Sequence, residues 1–98
     1  MSAIVHFEIF YDEEERARKF YSQLFGWKVE RIPGTIYWNI TTQEGALGGL
    51  TRRFNPHQRI INYFGVPSVG EAYARVEELG GRVLVPRMAV AKAGYYAL

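Results

Sequence analysis

Residues 3–11 read AIVHFEIFY, from Ala3 to Tyr11. Val5, Phe7, Ile9 and Tyr11 alternate with His6, Glu8 and Phe10. Period two is the mark of a strand with one apolar and one mixed face. His6 and Glu8 therefore share the mixed face, about 7 Å apart along the strand. An imidazole beside a carboxylate suits an acid–base pair near neutral pH, a metal ligand set, or two polar anchors for an organic ligand. A histidine satisfied by neighbouring backbone is the structural alternative.

Outward from this strand, the elements follow from local signals. Asp12, with Glu15 three positions on, reads as a capping box, and Glu13 and Glu14 suit the positive end of a helix dipole. Ala17, Phe20, Tyr21 and Leu24 recur at helical spacing as the expected buried stripe, and Gly26 ends the helix. GWKVERI, to Ile32, reads as a strand, and Pro33-Gly34 as a turn. TIYWNITT is rich in β-branched and aromatic residues and reads as a third strand. ALGGLTRR reads as a fourth, in which Gly48 and Gly49 mark a bulge or the close approach of another group. RRFNPHQR carries Arg52, Arg53, His57 and Arg59; it is a solvated connection, with an anion-binding patch as the alternative. IINYFGV is a strand, Ser68 and Glu71 form a second capping box, and Ala72, Val76 and Leu79 give a second helical stripe closed by Gly80-Gly81. RVLVP reads as a strand, and AGYYAL as the start of another.

Bulk properties narrow the function. The chain has 98 residues, enough for one small domain. Twelve basic and ten acidic residues give a net charge of +2, too balanced for a dedicated nucleic-acid binder. The lack of cysteine removes disulfides, thiolate chemistry and Cys-type zinc sites, and fits a reducing, cytoplasmic setting. MSAIVHFE lacks the pattern of a signal peptide, and no apolar run approaches the roughly 20 residues of a membrane span. Nucleic acid and membrane are therefore not expected partners.

A shift of 55 positions superposes the two halves: Ala17 falls on Ala72, Tyr21 on Val76 and Leu24 on Leu79. After a slip of one residue, Gly26 to Val29 match Gly80 to Val83. The expected fold is α+β, with paired βαβββ units over residues 1–54 and 60–98, the second lacking its last strand. This arrangement resembles the vicinal oxygen chelate superfamily of glyoxalase I, bleomycin-resistance proteins and extradiol dioxygenases. VHFEI, FYSQLFGWKVE, GGL, NYFGV, VEELGGRVLVP and GYYAL follow the order of its glyoxalase-related branch. The resemblance implies a curved half-barrel cleft, a homodimer, and metal ligands from the first and fourth strand of each unit. His6 matches the first such position. The others fall at about Gly49, at Ile61, and beyond Leu98, and catalytic zinc normally takes three protein ligands.

The expectation is therefore a domain that binds a small organic molecule in its cleft without the family metal centre and with no cofactor. His6, Glu8, Trp38, Asn39 and Tyr63 are the ligand-binding candidates, with Trp38 or else Tyr37 as a stacking surface for a planar ligand; Gly48 and Gly49 clear space beside them. His6 and Glu8 are also the catalytic candidates, and His6 the one family-type metal ligand. The alternatives are a divalent-metal lyase, isomerase or dioxygenase completed by residues outside the chain, and a partner-binding module using an open sheet edge. That edge also suggests either a longer polypeptide or a partner that covers it.

Overall fold

The structure is a computed structural model and describes residues 3–90 and 94–98. It divides into two compact units, Met1–Gly65 and Val66–Leu98.

The first unit contains β1 (Ile4–Tyr11), α1 (Glu14–Phe25), β2 (Lys28–Arg31), β3 (Trp38–Thr41), β4 (Leu47–Arg52) and β5 (Ile61–Phe64). The five strands form one sheet in the order β2-β3-β4-β1-β5. β1 and β4 run parallel, and every other neighbouring pair is antiparallel. The helical crossover supplied by α1 is what lets β2, and hence β4, run in the direction of β1. Two edges remain, so the sheet is open rather than a closed barrel, consistent with a βαβββ half-barrel. β5 opens the second half of the sequence repeat, yet it hydrogen-bonds along β1 with Tyr63 opposite His6 and Ile61 opposite Glu8.

The core lies on the helix side of the sheet. Ile9, Tyr11, Ile40 and Leu50 are buried, with Phe7, Ala17, Tyr21, Trp27, Val29 and Trp38 packed around them. Cross-strand register explains this set. Leu50 lies opposite Ile9 on one side and Trp38 on the other, and Val29 lies opposite Ile40. Trp27 closes one end, stacked on Tyr21 at 6.0 Å and tilted against Phe7 and Phe25. Gly48 is required here because a Cβ would stand 2.3 Å from the Phe7 ring.

The helix start differs from the capping-box expectation. α1 begins at Glu14, with Glu13 in the cap position and no side-chain cap bond. Asp12 is taken up elsewhere: its Oδ1 accepts from Arg53 Nε at 3.0 Å. Gly26 ends α1 in the left-handed region, as expected. The buried stripe is also narrower than its spacing suggests. Ala17 and Tyr21, four apart, pack on the core, whereas Phe20 and Leu24 are mostly exposed. Phe20 is rotated by about 100° from Tyr21 around the helix axis, away from the sheet.

RRFNPHQR is a connection held by side-chain hydrogen bonds. Arg53 binds Asp12, the Phe10 carbonyl and the Gln58 carbonyl. Gln58 Oε1 in turn accepts from the Phe54 and Asn55 backbone N–H groups. The Arg53 charge is spent on holding the loop to the end of β1.

The second unit contains α2 (Val69–Glu78) and a hairpin of β6 (Met88–Val90) with β7 (Gly94–Tyr96). Ser68 caps α2 through its hydroxyl, which accepts from the Glu71 N–H at 3.2 Å. Val76 and Leu79 of the second stripe are exposed. RVLVP does not form a strand; the strand lies farther on, at Met88–Val90. Pro86 offers no N–H to a ladder. What remains is a two-way bond between Val85 and Leu98, with Leu84 also donating to the Leu98 carbonyl. Of AGYYAL, Ala93 lies outside the described residues. Among the described residues, no helix is long and apolar enough to cross a membrane.

Candidate functional site

The face of the sheet opposite α1 carries a connected group of polar side chains from three strands or their flanks. His6 and Glu8 come from β1, Tyr63 from β5, and Tyr37 from the residue just before β3. Tyr37 donates its hydroxyl proton to Glu8 Oε2 at 3.0 Å. The same hydroxyl lies 3.0 Å from His6 Nε2. Tyr63 donates to the other carboxylate oxygen, Oε1, at 2.9 Å. The His6 and Tyr63 rings stand 5.5 Å apart. His6 Nε2 and Glu8 Oε2 are 4.0 Å apart, so the phenol bridges them where a direct hydrogen bond is too long. The side chains of His6 and Glu8 stay 34% and 20% exposed, which leaves both reachable from solution.

Gly49 makes this arrangement possible. It pairs with Glu8 on one side and Asn39 on the other, so its missing side chain would point onto the same face. A Cβ there would lie 1.7 Å from the Tyr37 hydroxyl oxygen. The space expected to admit something beside Gly48 and Gly49 is thus filled from within the chain: by Phe7 on the core face and by Tyr37 on the polar face.

The Tyr37 phenol is held well above its ordinary range, first by burial, then by the Glu8 charge and the hydrogen bond to Glu8, and last by Tyr63. It is a proton donor at every physiological pH and not a base. A folded-state value above the unfolded one means that the stabilisation is fully present below the unfolded phenol value and is lost as pH rises above about 10. In an alkaline titration followed by phenolate absorbance, Tyr37 is expected to ionise late, together with unfolding. The Tyr37→Phe protein should lose that late step. If all tyrosines of the wild type ionise as one group while it remains folded, the buried hydrogen-bonded phenol is ruled out.

The other expected residues divide by face. Asn39 lies opposite Gly49 on the polar face and is exposed. Trp38 lies on the opposite face, packed against the core with the Arg18 guanidinium 4.8 Å from its ring centroid. The polar face therefore has Tyr37, and Trp38 is a core residue. Tyr37 stood in the sequence only as a stacking surface; its role as the hub of the hydrogen bonds spans 29 and 31 residues of separation and leaves no local pattern.

The metal set implied by the superfamily does not fit these residues. His6 is the one ligand-type side chain at the implied positions; Gly49 has no side chain and Ile61 an inert one. Among the described residues, no group of three His, Cys, Asp or Glu side chains could hold a metal ion. The Tyr37 hydroxyl occupies the place next to His6 from which a side chain at position 49 would reach.

With this geometry in place, comparison with known proteins adds one finding. A family model described as bleomycin resistance protein-like N-terminal matches residues 3–37. The match runs from β1 through α1 and β2 to Tyr37, and supports the vicinal oxygen chelate superfamily, on its bleomycin-resistance side. No curated protein matches the chain.

Proposed function

We propose that this chain is a small-molecule-binding domain of the bleomycin-resistance kind, which takes an organic ligand against the polar face of the sheet without the superfamily's metal centre. The observation that carries the reading is the convergence of Tyr37 and Tyr63 on the partly exposed Glu8, with His6 alongside. A half-buried carboxylate held by two donors is fixed in position before any ligand arrives, and preorganised polar anchors within aromatic surroundings are what small-molecule sites provide. Tyr37, Tyr63 and Asn39 supply the surrounding surface. The cysteine-free composition accords with a cytoplasmic setting. Catalysis asks for more than these residues offer: no nucleophile is activated, and Tyr37 does not surrender its proton.

The test is an NMR screen of aromatic and heteroaromatic fragments against the 15N-labelled protein. Hits are expected to shift the resonances of β1, β5 and Tyr37, and to lose about tenfold in affinity in Glu8→Ala, a group that makes charge-assisted hydrogen bonds. Titration of the protein with zinc, nickel and manganese should give no stoichiometric binding at His6. Hits confined to other surfaces, or a metal held tightly by His6 and Glu8, would overturn the reading.

A further inference from the structure

The proton positions in the polar group can be worked out from its geometry. A phenol has one proton to give. Glu8 Oε2, an ionised carboxylate oxygen, can only accept, and it lies 3.0 Å from the Tyr37 oxygen. Were the Tyr37 proton directed at His6, two oxygen lone pairs would face each other at that distance next to a negative charge. The proton therefore goes to Glu8, the stronger acceptor. The Tyr37 oxygen is left as the acceptor towards His6, and His6 Nε2, also 3.0 Å away, must carry a hydrogen. In the neutral imidazole this leaves Nδ1 as the ring's acceptor.

We infer that Glu8, acting through Tyr37, fixes His6 as the Nε2–H tautomer, so that the site offers hydrogen-bond acceptors and recognises an organic ammonium or amidinium ligand. The inference rests on the small-molecule reading above and gives that ligand its chemistry. Every donated proton in the group runs towards Glu8: His6 to Tyr37, Tyr37 to Oε2, Tyr63 to Oε1. What the group can still offer is the remaining acceptor capacity of the carboxylate and the Nδ1 lone pair. Lys28 of β2 shares this face and is paired with Glu30 at 3.7 Å. A carboxylate flanked by tyrosine rings attracts an N–H cation by charge, by hydrogen bonding and through the ring faces. A ligand carboxylate would instead meet the like charge of Glu8. Tyr37 is in this sense a positioning residue: its hydroxyl transmits the demand of Glu8 to the imidazole.

Two measurements test this. Long-range 1H–15N correlation spectra of the neutral imidazole should show His6 protonated at Nε2 in the wild type. In Glu8→Ala the Tyr37 hydroxyl has only His6 to donate to, and the ring should switch to the Nδ1–H form, a change that loss of packing alone does not produce. A wild-type ring protonated at Nδ1, or an unchanged tautomer in Glu8→Ala, overturns the proton assignment. Separately, benzylammonium should shift the His6 and Tyr63 resonances and bind at least tenfold more tightly than benzoate. Equal or tighter binding of benzoate, or no shift with benzylammonium, overturns the ligand class. If uncharged fragments still bind the same face, the broader binding reading survives that result.

Discussion

Leu50→Ala is expected to destabilise the first unit by about 3 kcal/mol, the middle of the range for a buried leucine. Leu50 is fully buried in β4, between Ile9 on one side and Trp38 on the other. Its removal leaves a cavity walled by the strands themselves, which cannot collapse without breaking the ladder. The core is small: Ile9, Tyr11, Ile40 and Leu50 are the buried members around which the aromatic residues pack. Domains of this size are held by about 5–15 kcal/mol in total, with small ones near the low end. One such change therefore consumes a large share of the stability. Urea unfolding followed by tryptophan fluorescence should show a lower midpoint with an unchanged slope. Leu24→Ala is the control. Leu24 is 57% exposed, so its loss should cost no more than about 0.5 kcal/mol. Equal costs for the two would mean that the helical stripe and not the strand register builds the core.

That contrast also marks where the sequence speaks clearly. The strand at Ile4–Tyr11 announces itself by strict alternation, and the left-handed Gly26 by its place after a helical run. Ser68 caps α2 as its spacing to Glu71 implies. These are local signals, and local structure follows them. TIYWNITT is different, because each of its parities carries a large aromatic residue, Tyr37 on one and Trp38 on the other. Only the pairing of Ile40 with Gly48 and of Trp38 with Leu50 decides that Trp38 goes inward and Tyr37 outward. Asp12 shows the same limit. Its capping signature is sound, but Arg53, 41 residues away, takes its carboxylate. RVLVP has the composition of a strand and lacks a full-length partner; Leu98 supplies one residue's worth of pairing. In each case the deciding contact is remote in sequence.

The candidate site was legible in its parts and not in its connection. His6 and Glu8 were marked by their shared face, and Tyr63 by falling on Glu8 when the chain is shifted by 55 positions. Gly49 marks the close approach of another group, but the sequence does not say which. A glycine at a position where the resemblance implies a metal ligand suggests absence, but in the folded chain it is room for a neighbour. Tyr37 fills that room and turns two separate side chains into one hydrogen-bonded group.

Gly49→Ala should accordingly dismantle the site while sparing the sheet. The backbone at Gly49 is ordinary strand, so alanine introduces no conformational strain there. The closest conflicts are with Tyr37, whose hydroxyl oxygen and Cζ would lie 1.7 and 2.1 Å from the new methyl group. The end of a tyrosine ring can swing aside more cheaply than a strand can move. Once it swings, Glu8 Oε2 and His6 Nε2 lose their common partner. Hydrogen bonds to charged groups contribute about 1.5–3 kcal/mol, so a loss of about 2 kcal/mol in stability is expected. The late-ionising phenol should disappear from the alkaline titration. Binding of benzylammonium should fall about tenfold, the factor that 1.4 kcal/mol represents. A double-mutant cycle separates this from a general effect on β4. With Tyr37→Ala already in place the three atoms nearest the new methyl group are gone, and Gly49→Ala should then cost less than about 0.5 kcal/mol. Full additivity of the two changes would show that Gly49 serves the strand and not the tyrosine, and the polar face would lose its structural basis.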